Sequence, residues 1–365
     1  ALEAIHCFEK LQLMGVTPDS VTYLCNLKAC GSIEAIDKGR DVHGEVVKEG
    51  FENDIFIGNS LVDIYSTCGL FIEAHEVLDE LLTRNVISWN SLMAGYAEVG
   101  CFHEPLNCFV QMQNEGITLD CIAFSCILKA CAGSGAIDNG RGMHIDIVKQ
   151  GLLDKDPFSL AHSLMDMYMK LGFLAEAQNV FSKLSLQDAT LWTTLISGYM
   201  ENGAVEAALK CFAEMQDESI FPLVSTFVHV LKACSRLGSI IMGQEIHAEI
   251  VCKGLEREPN LYTILVEMYA KCGYSAEAEA LFAIHQDGDV IMPQVMLMGG
   301  FSEQVGIGDT NKCFEWMQRR NVSPGHNVFV FFLRACGRER HIYKGQEVHT
   351  EIVKKGLEIL IGVDL

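Results

Sequence analysis

Apolar side chains recur along this chain at spacings of three and four residues, in short stretches separated by glycine-containing turns. In residues 86–120 the first such stripe comprises Val86, Trp89, Leu92, Met93 and Tyr96. Gly100 follows it, Pro105 opens the next stretch, and a second stripe comprises Leu106, Phe109, Val110 and Met112. The spacing matches the 3.6-residue period of the α-helix, with glycine at a helix end and proline in a first turn. It therefore predicts a helix–turn–helix hairpin with one apolar face on each helix.

The hairpin pattern belongs to a longer repeat with a period of about 102 residues. The triplet Lys/Arg-Ala-Cys ends at Cys30, Cys131, Cys234 and Cys336. A Gly-x-x-x-His pattern follows it each time and ends at His43, His144, His247 and His349. Because independent markers keep the same period, chance is a poor explanation.

Each period divides into three units of about 31, 35 and 35 residues. The unit boundaries are predicted at 20–54, 55–85, 86–120, 121–157, 158–188, 189–223, 224–258, 259–290, 291–325 and 326–360, with partial units at 1–19 and 361–365. A single hairpin cannot bury its apolar face alone, whereas stacked neighbours form a continuous core. The pattern therefore predicts an all-α fold, an α-solenoid of about ten hairpins.

Composition excludes several classes of protein. Of the 365 residues, 49% are hydrophobic, which excludes intrinsic disorder. No apolar run is long enough to span a membrane, and 15 cysteines in a chain of this length do not indicate a disulfide scaffold. The sequence starts at Ala1 in the middle of the repeat pattern, which we interpret as an internal fragment. Any targeting peptide or C-terminal effector domain is then expected outside it.

Enzyme-like patterns do not indicate catalysis or a cofactor. His43-Gly-Glu45, and the equivalents at His247 and His349, mimic the His-x-Glu of zinc deaminases. That chemistry also needs a Cys-x-x-Cys pair, and no two cysteines here are three residues apart. We therefore expect no metal, no cofactor, no catalytic residue and no small-molecule substrate. The recurring histidines and cysteines are better explained as packing residues.

The segments VISWNSLMAGYAEVG, ILKACAGSGAIDNGRGMH and ILVEMYAKCGYSAEAEALF resemble the pentatricopeptide repeat family, in its subclass of P, L and S units. The P-type units are 86–120, 189–223 and 291–325. The L-type units are 20–54, 121–157, 224–258 and 326–360, and the S-type units are 55–85, 158–188 and 259–290. The tetratricopeptide repeat, another helical hairpin, is the alternative, but the alternating unit lengths argue against it.

This resemblance implies a right-handed superhelix that binds single-stranded RNA in mitochondria or chloroplasts. In the family each unit meets about one base, which the fifth and last residues read while the second residue stacks on bases. Members of the subclass commonly specify sites of cytidine-to-uridine editing. The chemistry then belongs to a C-terminal region or to a recruited partner, which implies editing-complex proteins as further partners.

Carried over by position, the code residues are Asn59 with Asn85 (resembling a cytosine pair), Asn90 with Asp120 (uracil) and Thr263 with Asp289 (guanine). His162 with Asp188 is outside the common pairs, and Thr193 is followed by Leu223, which cannot hydrogen-bond. Val295 with Gly325 is unreadable, and the L-type units carry the poor readers Leu24, Ser125, Val228 and Val330 at position five. The stacking candidates are Phe56, Ile87 and Ile122. The implied target is two pyrimidines, four unspecified bases and a guanine.

Simpler roles remain open for these residues. The aspartates Asp19, Asp54, Asp120 and Asp188 each precede a helix and are good N-caps without RNA. Asn59 and Asn90 can be exposed first-turn polar residues, and Phe56 and Ile87 can pack in the core. A net charge of −21 repels RNA, so we expect weak, salt-sensitive binding unless bases gather on the concave face. The alternative function is a scaffold that grips a peptide in its groove.

Overall fold

The structure is a computed structural model that describes residues 1–155, 157–184, 186–255, 258–284 and 326–354. Within these ranges the regular structure is helical and contains no strand, so the predicted all-α class is confirmed. The chain divides into two compact units, residues 1–198 and 199–365. Unit 291–325 and Asp289 lie outside the described residues, as do Val295 and the partial unit 361–365.

Each described hairpin pairs a first helix with a second helix. The first helices are α2 (Ser20–Ser32), α4 (Ile55–Thr67), α6 (Val86–Glu98), α8 (Cys121–Ser134), α11 (Pro157–Lys170), α13 (Ala189–Glu201), α15 (Val224–Leu237), α17 (Pro259–Lys271) and α19 (His326–Glu339). The second helices are α3 (Ile36–Lys48), α5 (Phe71–Glu80), α7 (Glu104–Asn114), α9 (Ile137–Lys149), α12 (Leu174–Lys183), α14 (Val205–Asp217), α16 (Ile240–Cys252), α18 (Ser275–Ile284) and α20 (Ile342–Lys354). Helix α1 (Leu2–Leu13) precedes them, and the short α10 (Leu152–Lys155) follows α9.

The sequence signals at helix ends act as expected. The carboxylates of Asp19, Asp54, Asp120 and Asp188 each accept a hydrogen bond from a backbone N–H two or three residues on, at 2.8–2.9 Å. These bonds satisfy amide groups that a helix start leaves unpaired, so the N-cap role is confirmed. At the other end, Gly100 takes φ 76°, a left-handed conformation that glycine adopts without strain.

The markers of the long repeat are packing residues. Cys30, Cys131 and Cys234 are fully buried. The imidazole Nδ1 atoms of His43, His144 and His247 lie 2.9 Å from the hydroxyl oxygens of Tyr65, Tyr168 and Tyr269 respectively. Each pair joins the second helix of one hairpin to the first helix of the next. The recurrence of the histidine therefore reflects the stacking of hairpins, as expected for a packing residue.

Gly95, which precedes Tyr96 in α6, allows neighbouring first helices to approach closely. A Cβ atom added at Gly95 of α6 would lie 2.8 Å from the carbonyl oxygen of Ser66 in α4. Because that neighbour is backbone, it cannot move aside, and only glycine fits. Trp89, Leu92 and Met93 of the same helix are buried. Val110, which belongs to the second predicted apolar stripe, is 52% exposed, so its predicted place on the buried face is wrong.

The first helices form the more closely spaced layer. In residues 1–198 the helices α2, α4, α6, α8 and α11 contact one another in succession, and the second helices pack mainly against first helices. Successive second helices are instead bridged by long charged side chains, as in Arg40–Glu73 (2.8 Å) and Arg141–Glu176 (3.4 Å). In a curved stack the closer layer lies on the inside, so the first helices line the inner surface of this unit.

Candidate nucleic-acid interface

One face of each first helix carries the positions that the family resemblance assigns to RNA. It carries residues two, five and nine of each hairpin, which fall on one side of a helix because seven residues make almost two full turns. We call these positions the inner stripe. In hairpin 55–85 the inner stripe comprises Phe56, Asn59 and Asp63, and in hairpin 121–157 it comprises Ile122, Ser125 and Lys129.

Apolar residues at position two are exposed on this stripe. The exposed fractions are 66% for Phe56, 55% for Ile87 and 59% for Ile122. Core packing of Phe56 and Ile87, the alternative left open by the sequence, is therefore wrong. Val21 holds the same position in hairpin 20–54 and is 62% exposed. Because Val21 occupies the same repeat position as Phe56, the sequence could have identified it as a further stacking candidate.

Asn90 and Asp120 are brought together by the stacking of two hairpins. The Asn90 Nδ2 donates to both carboxylate oxygens of Asp120 at 3.1 Å, and one of these oxygens also caps α8. Asn90 is only 7% exposed, so it is not the exposed first-turn polar residue that the sequence allowed. Its Oδ1 is buried without a hydrogen-bond partner in the structure. Because a buried unpaired acceptor is costly, this oxygen is suited to accept a bond from a ligand.

Asn59 and Asn85 are connected through a residue that the sequence analysis missed. The Ser88 hydroxyl donates to Asn59 Oδ1 at 2.5 Å and lies 3.1 Å from Asn85 Oδ1. Asn85 Oδ1 also accepts from the backbone N–H groups of Ile87 and Ser88, both at 3.0 Å, so Asn85 caps α6. Asn59 is 9% exposed and Ser88 fully buried. Nothing in the repeat pattern links residues 59 and 88, which lie in different hairpins.

Three other position-five residues, Thr193, Thr263 and His162, make hydrogen bonds of other kinds. The Thr193 and Thr263 hydroxyls donate to the carbonyl oxygens of Ala189 and Pro259 in their own helices, at 2.7 and 2.8 Å. His162 is exposed, and its Nδ1 lies 2.8 Å from the Thr194 hydroxyl oxygen. Since that hydroxyl donates its proton to the Thr190 carbonyl at 2.9 Å, His162 Nδ1 must be the donor to Thr194.

Basic residues lie on the inner stripe at regular intervals. Lys28, Lys129 and Lys232 occupy position nine of the L-type hairpins and are exposed. None of the three forms a salt bridge with another described residue. These lysines are the first residues of the Lys/Arg-Ala-Cys triplets. The sequence analysis used the triplets only to establish the repeat period and did not consider the lysines as RNA contacts.

Charge is distributed unevenly between the two layers of helices. The described first helices carry more basic than acidic residues, whereas the second helices carry more than twice as many acidic as basic residues. Much of the net charge of −21 therefore lies on the outer layer. An RNA strand along the inner stripe would be partly shielded from it by distance and salt.

A cleft of about 830 Å³ opens on the inner stripe of the second compact unit. It lies between α15 and α17, and its polar lining comprises Ser225, His229, Lys232, Asn260 and Thr263. Burial lowers the pKa of His229, with Lys232 as a further cause. A neutral imidazole, two hydroxyls and an ammonium suit a polar anionic ligand such as a nucleotide.

The buried thiols are unsuited to catalysis. Burial raises the pKa of Cys131 to about 11 and that of Cys234 to about 12, so both are protonated at neutral pH. Among the described residues, no three histidine, cysteine or acidic side chains gather as a metal site would require. Nor does any described helix combine the length and apolarity needed to cross a bilayer.

Known protein families match these hairpins. A profile of the PPR repeat family matches residues 84–133 and 187–236, and a profile of the single PPR repeat matches residues 59–86 and 261–283. These stretches of the chain match pentatricopeptide repeats. The matched regions contain both asparagine clusters described above.

Pentatricopeptide repeat-containing proteins of Arabidopsis thaliana are similar over almost the whole chain. A putative one is 30% identical over 355 residues, covering 96% of this chain and 51% of the relative. A mitochondrial one is 29% identical over 357 residues, covering 98% and 51%. A chloroplastic one is 30% identical over 355 residues, covering 96% and 40%. The chain thus spans about half the length of these relatives, or less.

Solved pentatricopeptide repeat structures share the fold. The crystal structure of the protein PPR10 in complex with an 18-nt psaJ RNA element has a TM-score of 0.76 at 16% identity, covering 99% of this chain and 53% of that chain. The structure of PPR10 from maize has a TM-score of 0.58 at 18% identity, covering 96% and 56%. At this identity the likeness establishes the α-solenoid architecture alone.

Proposed function

We propose that this chain binds single-stranded RNA along its inner stripe, with one hairpin for each base. The observation that carries the proposal is the Asn90–Asp120 pair, in which a buried amide oxygen faces no partner while its amide nitrogen is held. Exposed apolar residues at position two lie on the same stripe, where they can stack on the bases. The neighbour PPR10 was crystallised with an RNA element, which supports RNA as the ligand.

The hydrogen-bonding groups support the bases that the family resemblance implies. Asn90 Oδ1 needs a donor, and uracil presents N3–H where cytosine presents a bare nitrogen. Thr263 has given its proton to its own helix, so its oxygen can accept from N1–H of guanine. We therefore propose cytosine at hairpin 55–85, uracil at hairpin 86–120 and guanine at hairpin 259–290.

The biological role we propose is that of a specificity factor for RNA editing or processing in an organelle. Relatives named mitochondrial and chloroplastic support the location, although they do not choose between the two organelles. We propose that the hairpins follow the P, L and S order of the subclass. We further propose that these residues carry no catalytic activity and that proteins of an editing complex are partners. Any deaminating activity would belong to a partner or to a region outside these residues.

The lysines of the inner stripe favour RNA over a peptide ligand. A scaffold for peptides would present an apolar or acidic groove, whereas Lys28, Lys129 and Lys232 are exposed without salt bridges to other described residues. Each can displace a counterion from a phosphate. Because the outer layer is acidic, we expect binding to be markedly sensitive to salt.

The decisive experiment is a titration of labelled RNA, followed by fluorescence anisotropy at low salt. The probe is CU followed by four adenosines and G, flanked by adenosines. Asn90→Ala with Asp120→Ala should weaken binding about tenfold or more, since the hydrogen bonds of one base are lost. The matched control, Asp138→Ala with Asn139→Ala on the exposed face of α9, should bind like the parent. Equal affinity of both variants would contradict base reading by hairpin 86–120.

A further inference from the structure

Two neighbouring hairpins hold the same residue, asparagine at position five, in opposite ways. Asn59 uses its carbonyl oxygen toward Ser88, whereas Asn90 uses its amide nitrogen toward Asp120. A side-chain amide has one accepting and one donating end. The end that the protein occupies therefore decides which end is left for a ligand.

Which end of the Asn59 amide the protein occupies depends on the single proton of the Ser88 hydroxyl. Two acceptors are near, Asn59 Oδ1 at 2.5 Å and Asn85 Oδ1 at 3.1 Å. Asn85 Oδ1 already accepts two backbone N–H bonds, at 3.0 Å each, which fills its two lone pairs. The proton is therefore directed to Asn59 Oδ1, and Asn59 Nδ2 is left to donate.

For Asn90 the negative charge of Asp120 determines which end of the amide is occupied. A carboxylate can only accept, so both oxygens of Asp120, each at 3.1 Å, must face the Asn90 Nδ2 group. The third residue of the following hairpin, which corresponds to Ser88, is Ala123 and has no hydroxyl. Nothing competes with Asp120, and Asn90 Oδ1 stays unpartnered.

We propose that Ser88, which is outside the two code positions, is a positioning residue that makes hairpin 55–85 select cytosine over uracil. The proposal rests on the proposed RNA-binding function. With Ser88 on its oxygen, Asn59 presents a donor, which matches the bare N3 of cytosine. With Asp120 on its nitrogen, Asn90 presents an acceptor, which matches N3–H of uracil. Base selection at these two steps thus depends on the last residue of one hairpin together with the third residue of the next.

The test compares discrimination ratios rather than affinities, because loss of the buried Ser88 hydroxyl also weakens the α6 cap. The 365-residue chain is titrated with four RNAs that carry CU, UU, CC or UC before four adenosines and G. Ser88→Ala should reduce the preference for C over U at the first step from about tenfold to about twofold, the effect of one hydrogen bond. The preference for U over C at the second step should not change. A purely structural role would lower binding to all four RNAs by the same factor.

Two further variants make the test specific. Ser88→Thr keeps the hydroxyl and should restore the first-step preference; threonine fits this position, because Thr22 and Thr226 occupy it in other hairpins. Ser91→Ala, a half-buried serine of the same helix, should leave both ratios at the parent value. An unchanged first-step ratio in Ser88→Ala, or a parent that prefers uracil at that step, would overturn the inference while leaving RNA binding intact. Absence of RNA binding by the parent would overturn the proposed function, and the inference with it.

Discussion

The inner stripe differs between the front hairpins (residues 20–157) and the rear hairpins (residues 158–284). In the front hairpins position two is occupied by exposed apolar residues, Val21, Phe56, Ile87 and Ile122. In the rear hairpins the same position is polar, with Ser159, Thr190, Ser225 and Asn260. The same helical repeat therefore presents an apolar inner surface in one half and a polar one in the other.

Position five follows this division only in part. In the front hairpins Asn59 and Asn90 are nearly buried and are held by residues of the next hairpin. In the rear hairpins the Thr263 hydroxyl bonds to a carbonyl of its own helix, whereas His162 is held by Thr194 of the next hairpin. A group oriented from outside its helix is rigid, and rigidity favours selective hydrogen bonding. We therefore expect the sharpest base selection where the next hairpin orients position five, as at Asn59 and Asn90, and weaker selection at Thr263.

The largest expected effect is loss of RNA binding when the front apolar residues are removed. Phe56→Ala, Ile87→Ala and Ile122→Ala together should weaken binding about thirtyfold or more, since stacking on an aromatic contributes roughly 1–3 kcal/mol per base and aliphatic residues less. The matched rear triple is Thr190→Ala, Ser225→Ala and Asn260→Ala, which should change affinity by less than about threefold. Anisotropy titrations measure both, and equal losses would erase the distinction between the two halves.

A second prediction concerns stability. Asp120→Ala removes a cap and leaves the buried Asn90 amide without its acceptor, so the free energy of unfolding should fall by about 2–4 kcal/mol. In the rear half, Asp188→Ala removes only the cap to Leu191 and should cost about 1 kcal/mol. Urea unfolding measures both changes. If the two variants lose the same stability, the Asn90–Asp120 bond contributes nothing to the fold.

The third prediction is that the two halves share one property, a lysine at position nine of their L-type hairpins. Replacing Lys129 in the front half or Lys232 in the rear half by glutamine should each reduce the slope of log K against log salt by about 0.7, the value for one phosphate of a single strand. Lys48→Gln, at an exposed position on the outer helix α3, is the matched control and should leave the slope unchanged. If only Lys48→Gln reduced the slope, the RNA would have to bind the outer helices instead of the inner stripe.

The smallest effect is a dependence of stability on pH. Burial lowers the pKa of His43 and of His144 below the ordinary value of 6.5. The unfolded chain therefore binds more protons as pH falls through about 6.5, and the folded state loses stability on acidification. Since both rings are partly exposed, the loss between about pH 7.5 and about pH 5.5 should stay under about 1 kcal/mol for each.

Substitution by glutamine provides the check. In His43→Gln with His144→Gln, the free energy of unfolding should vary less with pH than in the parent. His103→Gln replaces an exposed histidine of the same half and should keep the parent dependence. A steeper pH dependence in the double variant would contradict the direction of these pKa shifts.

Much of the fold was predictable because its signals are local. Helix ends follow from side chains such as Asp54 and Gly100 that act within one turn. The period of the cysteine and histidine markers predicted packing residues, and the His144–Tyr168 bond confirms it for the histidine. Val110 was misplaced because an apolar residue at helical spacing can still lie at the edge of a buried face.

The interface was less predictable, because its contacts cross from one hairpin to the next. The spacing identified Asn59 and Asn90 as candidates but did not reveal their burial. Ser88 escaped notice because its partner Asn59 is 29 residues away. The role of Thr194 in orienting His162 was hidden in the same way, 32 residues along the chain.

The amino-acid sequence by itself determined an array of helical hairpins and the residue types at each repeat position, since both depend on periodicity within a few turns of helix. Only the tertiary structure decided which end of each asparagine amide is free, which apolar residues stay exposed and on which layer the lysines lie. The physical reason is that hydrogen-bond polarity and burial are set by the neighbouring hairpin, whose atoms meet Asn59 and Asn90 only after stacking.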